Sequence, residues 1–117
     1  MMRNERDKRE DILKLLRTCQ KRLEMDLMDV DAWFSKGVTL AWLEKYRQAL
    51  YCFNQVTRVK INYPSVWRLK ATLYALMGHE RLSRLCTEVA ERLRLKEDID
   101  SFEGAPATEE SHSVPVY

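Results

Sequence analysis

Three cysteines, Cys19, Cys52 and Cys86, and two histidines, His79 and His112, are the residues of this 117-residue chain best able to act as nucleophiles or metal ligands. A structural zinc site needs four closely spaced thiolate or imidazole ligands, and zinc-binding histidines on a helix pair at i, i+3 or i+4. Neither pattern occurs, since the cysteines lack CxxC spacing and each histidine stands alone. The odd cysteine count also argues against a disulfide framework. There is no Gly-rich phosphate loop, GxSxG elbow or Cys–His neighbourhood. The sequence therefore reads as non-enzymatic, with no catalytic residue, no cofactor and no metal.

Residues that bind rather than react fall into two groups. The first is apolar: Phe34, Val38 and Trp42 recur at i, i+4 and i+8 beside a separate apolar set, Trp33, Gly37 and Leu40. One helix rarely needs two apolar stripes. The extra stripe is either core, covered by the N-terminal segment or by self-association, or a groove taking an apolar or amphipathic helical segment of another protein, with Phe34 and Trp42 as anchors. The second group is cationic: residues 1–95 hold 19 Lys+Arg against 12 Asp+Glu, whereas residues 96–117 hold 1 against 6. Arg58, Lys60, Arg68, Lys70, Arg81, Arg84, Arg92 and Arg94 offer a phosphate-contacting surface, with Trp67 or Tyr63 available to stack on bases. Arg58, Lys60, Arg92 and Arg94 also have an ordinary explanation as cations opposing the negative ends of helix dipoles, which weighs against a nucleic-acid partner.

The elements that must position these groups are helical. Residues 1–10 form a charged lead-in without the apolar stretch of a signal peptide, and no apolar run is long enough to span a bilayer, so a cytoplasmic protein is expected. A first helix is read over Glu5 to Met25, with Ile12, Leu16, Cys19 and Leu23 on one face. A second spans Val30 to Leu43 behind Asp29 as N-cap, and a third Tyr46 to Ile61. Pro64 opens a fourth helix that ends at Met77 before Gly78, and a fifth runs from Glu80 to Leu95. The helical domain is placed at residues 11–98. Residues 99–117 read as a disordered acidic tail, whose Val114-Pro115-Val116-Tyr117 ending is a small apolar patch.

The chain echoes itself every 34 residues: Trp33 pairs with Trp67, Lys36 with Lys70, Gly37 with Ala71, Cys52 with Cys86 and Val56 with Ala90. Such a period indicates stacked helical hairpins that bury their apolar faces against one another. Cys52 and Cys86 on stacked helices would have backbones about 8–10 Å apart, beyond the roughly 7 Å limit for a disulfide, so they read as buried packing residues.

Trp33, Gly37, Tyr46, Ala49 and Phe53 in the first unit, with Trp67, Ala71, Gly78 and Ala90 in the second, resemble the tetratricopeptide repeat. The second unit departs from it at Glu80, Ser83 and Thr87. Leu23-Glu24-Met25-Asp26 looks like the end of a preceding repeat, so the resemblance covers residues 11–95 as two repeats and a half. It implies an all-α fold of about five helices, in antiparallel hairpins stacked as a short right-handed array. It also implies an adaptor or assembly factor that binds another protein or peptide through a concave groove. By that geometry the groove is lined by Asp31, Phe34, Ser35, Val38, Trp42, Arg68, Thr72 and Leu76. The lysine, asparagine and arginine positions that let some members clamp carboxylates hold Phe34, Ser35, Val38, Ser65, Leu69 and Thr72 instead, which argues against such a clamp. The alternatives are nucleic-acid binding through the basic body and self-association as a homo-oligomer.

Overall fold

The computed structural model describes residues 4–103, and within them five helices follow one another with no strand. They are α1 (Glu5–Met25), α2 (Val30–Trp42), α3 (Tyr46–Val59), α4 (Pro64–Leu76) and α5 (Glu80–Glu103). Asn4 caps α1 by accepting from the Asp7 amide at 2.8 Å, and Asp29 caps α2 by accepting from Ala32 at 3.0 Å. Arg22 near the end of α1 donates two bonds of 3.0 Å to the same Asp29 carboxylate. One side chain thus starts α2 and ties it to α1. The Ala32 amide and then Arg22 hold the Asp29 carboxyl below its usual range.

The links inside the hairpins repeat in detail. The Lys45 amide donates to the Leu40 carbonyl at 2.9 Å, and the His79 amide to Tyr74 at 2.8 Å, 34 residues on. In both links the residue before that donor is left-handed, Glu44 at φ 63° and Gly78 at φ 83°. This is a helix ending in which a left-handed residue turns the chain and returns its amides to the last turn. Gly78 adopts it freely; Glu44 does so against its Cβ.

Each helix packs mainly on its neighbours in sequence: α1 on α2, α2 on α3, α3 on α4 and α4 on α5. The radius of gyration is 18.4 Å, against about 13 Å for a spherical domain of about 100 residues, so the array is elongated. Its core is built from Leu23, Ala32, Trp33, Leu40, Ala49, Cys52, Phe53, Val56, Val66 and Leu73. Within the first hairpin the wholly buried Phe53 lies on Gly37 so closely that a Cβ at residue 37 would stand 2.7 Å from the ring. The expected α1 face is the packed one, with Cys19 and Leu23 buried and Ile12 and Leu16 half-buried. All three cysteines are buried free thiols.

The helix ends differ from the sequence expectation in four places. α2 stops one residue early at Trp42, with Leu43 as its C-cap. α3 stops at Val59 because Lys60 turns to extended backbone, and α4 stops one residue early at Leu76. α5 continues past Leu95 to Glu103. Lys96 pairs with Asp100 one turn on at 3.2 Å, and no glycine or proline intervenes before Gly104. Residues 99–103, read as tail, are therefore helical, as are residues 5–10 of the charged lead-in. The rest of the tail, with His112 and Val114–Tyr117, lies outside the described residues.

Gly37→Ala is expected to destabilise the protein by about 2 kcal/mol in urea denaturation, because the new methyl must displace Phe53. Gly78→Ala meets no neighbouring atom yet should cost about 1 kcal/mol through its backbone angle alone. Adding Phe53→Leu should offset part of the Gly37→Ala loss and none of the Gly78→Ala loss. A second prediction concerns pH. Burial, opposed by Lys36, pushes the Cys52 thiol from its ordinary 9.0 up to about 11. The folded state keeps this proton longer than the unfolded state, so the associated stability is complete below pH 9 and is lost towards pH 11. Denaturation measured across that range should show about 2–3 kcal/mol of loss that Cys52→Ala removes.

Candidate partner-binding groove

The second apolar stripe of α2 divides along its length. Phe34 is half-buried, stacked on Tyr63 with ring centroids 5.9 Å apart and planes within 4°, and it also meets Phe53 at 6.0 Å. It is packing between the hairpins and not an open groove anchor. Val38 is 40% exposed and Trp42 64%. The reason is rotational, since each i+4 step advances about 40° around a helix. Phe34 and Trp42 therefore face directions about 80° apart.

Four open cavities adjoin one another through shared wall residues. One of about 330 Å³ lies between α1 and α2, walled by Ile12, Leu15, Val38 and Trp42 among others. Val38 and Trp42 also wall the next, about 290 Å³ between α2 and α4, with Leu69, Thr72, Leu73 and Leu76. Thr72 and Leu76 pass into a third of about 480 Å³ between α4 and α5, bounded by Arg68, Ala71, Ala75, Ser83 and Thr87. Arg68 then borders a polar fourth of about 500 Å³ with Lys60, Asn62, Tyr63, Ser65, Arg94 and Glu97. Of the eight residues expected in the groove, Val38, Trp42, Arg68, Thr72 and Leu76 are joined in this run. Asp31, Phe34 and Ser35 line none of the four. Asp31 is exposed in the first turn of α2, and the half-buried Ser35 gives its carbonyl to the Thr39 hydroxyl at 2.7 Å.

The third cavity has a cause in the sequence. Thr87 stands at the register of Phe53, and Ser83 at that of Ala49. Where the first hairpin places a ring on Gly37, the second sets a threonine near Ala71, and the space between α4 and α5 stays open. The polar cavity gathers cations from three elements: Lys60 caps the end of α3, Arg68 lies in α4 and Arg94 in α5. Because α5 runs on to Glu103 and carries no basic residue in its last turn, a helix-end role for Arg92 and Arg94 is excluded.

No family model and no curated protein matches the sequence. Ten solved chains match the fold. One of them, the structure titled MamA MSR-1 C2, aligns with a TM-score of 0.71 at 20% identity, over 77% of this chain and 52% of its own. That protein is of the tetratricopeptide type, and this chain spans about half its length. The fold is an all-α, tetratricopeptide-like helical array.

Leu15 carries no role in the sequence reading, and Ile12 enters it only as part of one apolar α1 face, yet both wall the first cavity. The sequence reading also missed the role of Tyr63, which stacks on Phe34 between the hairpins. A tyrosine directly before a helix-opening proline was the available signal. No helix among the described residues is long and apolar enough to cross a membrane.

Phe34→Ala should cost about 2 kcal/mol of stability, less than a fully buried phenylalanine. Trp42→Ala should change stability by less than about 0.5 kcal/mol. Thermal or urea unfolding of the two variants checks the contrast, and the reverse order would place Trp42 in the core.

Proposed function

We propose that the chain is a protein-interaction module, an adaptor or assembly factor without chemistry of its own, which holds an apolar or amphipathic segment of another protein along the groove crossing α1, α2, α4 and α5. The observation that carries this reading is Trp42. A tryptophan 64% exposed between two largely apolar cavities leaves in water the kind of side chain that anchors interfaces. A rigid array of paired helices suits that task, because the walls of the groove stand on helices and not on loops. The tetratricopeptide-like fold supports an interaction role in general.

The nucleic-acid reading loses its stacking rings. Tyr63 is stacked on Phe34 and has the Lys60 ammonium 5.3 Å from its centroid. Trp67 has the Lys70 ammonium over its ring at 3.9 Å, while its indole donates to Ile61 at 2.9 Å.

A displayed library of random peptides, panned on the immobilised full chain, tests the proposal. Enriched peptides should share an apolar anchor, and Trp42→Ala/Leu76→Ala should lower their affinity by about tenfold or more with helicity and melting unchanged. Enrichment that ignores both substitutions would refute the groove.

A further inference from the structure

Resting on that reading of the groove, we infer that the segment it holds is acidic at one end, with carboxylates received by Lys60, Arg68 and Arg94 in the polar cavity. These three side chains reach one cavity from α3, α4 and α5, so the positive charge comes from the fold and not from one helix face. The neighbouring carboxylates neutralise it only in part, two against three cations. Glu91 is shared by two guanidinium groups, at 3.9 Å from Arg68 and 3.6 Å from Arg94. Both distances exceed the roughly 2.7–2.9 Å of a well-formed charged hydrogen bond. Arg68, Glu91 and Arg94 remain about half exposed, between 50% and 55%. Glu97 is the one carboxylate in the cavity wall, against three cations.

The ammonium of Lys60 lies 5.3 Å from the Tyr63 ring, which is itself stacked on Phe34, and this contact favours its position at the cavity. The start of α4 offers no side-chain cap of its own, and its positive dipole end adds to the same potential. Arg94 has no helix-end explanation left.

The cavity is continuous with the apolar run, which sets both the partner's chemistry and its spacing. Arg68, Thr72 and Leu76 lie on successive turns of α4, so the cation and the apolar wall are about 12 Å apart. An extended peptide covers that distance in about four residues and a helical one in about eight. An acidic peptide with an apolar anchor matches both ends of this surface; a nucleic acid would match only the basic end.

Panning of the same random-peptide library on the full chain tests this, with a fluorescent single-stranded oligonucleotide as a parallel probe. Selected peptides should carry Asp or Glu about four or about eight positions from the apolar anchor. Lys60→Gln/Arg94→Gln, both at exposed positions, should select the same anchor without the acidic residues. It should also weaken the best wild-type peptide about fivefold to tenfold in fluorescence anisotropy at low salt, and less as salt rises. The charge-reversed Lys60→Glu/Arg94→Glu chain should turn the preference towards lysine, which a folding defect would not do. An apolar consensus without acidic residues would overturn the inference and leave the groove standing. Absence of any consensus on the wild-type chain would overturn both. Oligonucleotide binding that depends on Lys60 and Arg94, with no acidic preference among the peptides, would assign the cavity to nucleic acid and overturn it as well.

Discussion

In each hairpin an indole N–H reaches back six residues to a backbone carbonyl, Trp33 to Leu27 at 2.8 Å and Trp67 to Ile61 at 2.9 Å. A tryptophan packed into a protein needs a partner for that donor, and here the partner is the chain leading into its own helix. The bond fixes the loop before α2 and the loop before α4 in the same way, and with them the angle at which each hairpin begins. The lysine one turn further on follows the same register, with the Lys36 ammonium 5.6 Å from the Trp33 ring and that of Lys70 3.9 Å from Trp67. Stacking, the placement of α2 beside α4, and hence the cavity between them depend on these two anchored starts.

From that shared frame the two hairpins diverge in how well they fill. The first sets Phe53 into the space left by Gly37 and buries Ala49, Cys52 and Val56 around it. The second has Ala71 and Thr87 at the corresponding places and buries Lys70, whose amine is held below its ordinary value by burial, against the opposing pull of Cys86. Lys70 is satisfied by the Trp67 ring and by a 3.4 Å contact with the Thr57 hydroxyl, so it serves packing between α3 and α4. The first hairpin is thus filled by Phe53 against Gly37, whereas the second leaves the open space beside Thr72 and Leu76.

Much of this architecture was legible in the sequence because it rests on local chemistry repeated at a fixed interval. Asp29 before α2, Pro64 at the start of α4 and Gly78 at its end are each read from one residue type. The Trp33/Trp67 echo gives the register. The end of α5 was not legible, because Lys96, Glu97, Asp98 and Asp100 have the composition of a solvated tail as much as of an exposed helix; the difference lies in spacing such as that of Lys96 and Asp100. The sequence leaves Phe34 open between core and groove for another reason. Periodicity shows that it shares a stripe with Trp42, but only the position of Tyr63, 29 residues away in sequence, shows which of the two is covered. The polar cavity depends on three helices meeting, and no sequence pattern announces that meeting.

In the proposed function Trp42 is the indole that meets a partner, while Trp33 and Trp67 belong to the scaffold. Nitrogen-15 NMR of the three indole N–H groups, followed through hydrogen exchange and titration with a panned peptide, measures this directly. Trp33 and Trp67 should exchange slowly and keep their positions, while Trp42 should exchange fast when free and be the indole that shifts on binding. A peptide that bound while leaving Trp42 unmoved, or that displaced the Trp33 or Trp67 signal instead, would contradict it.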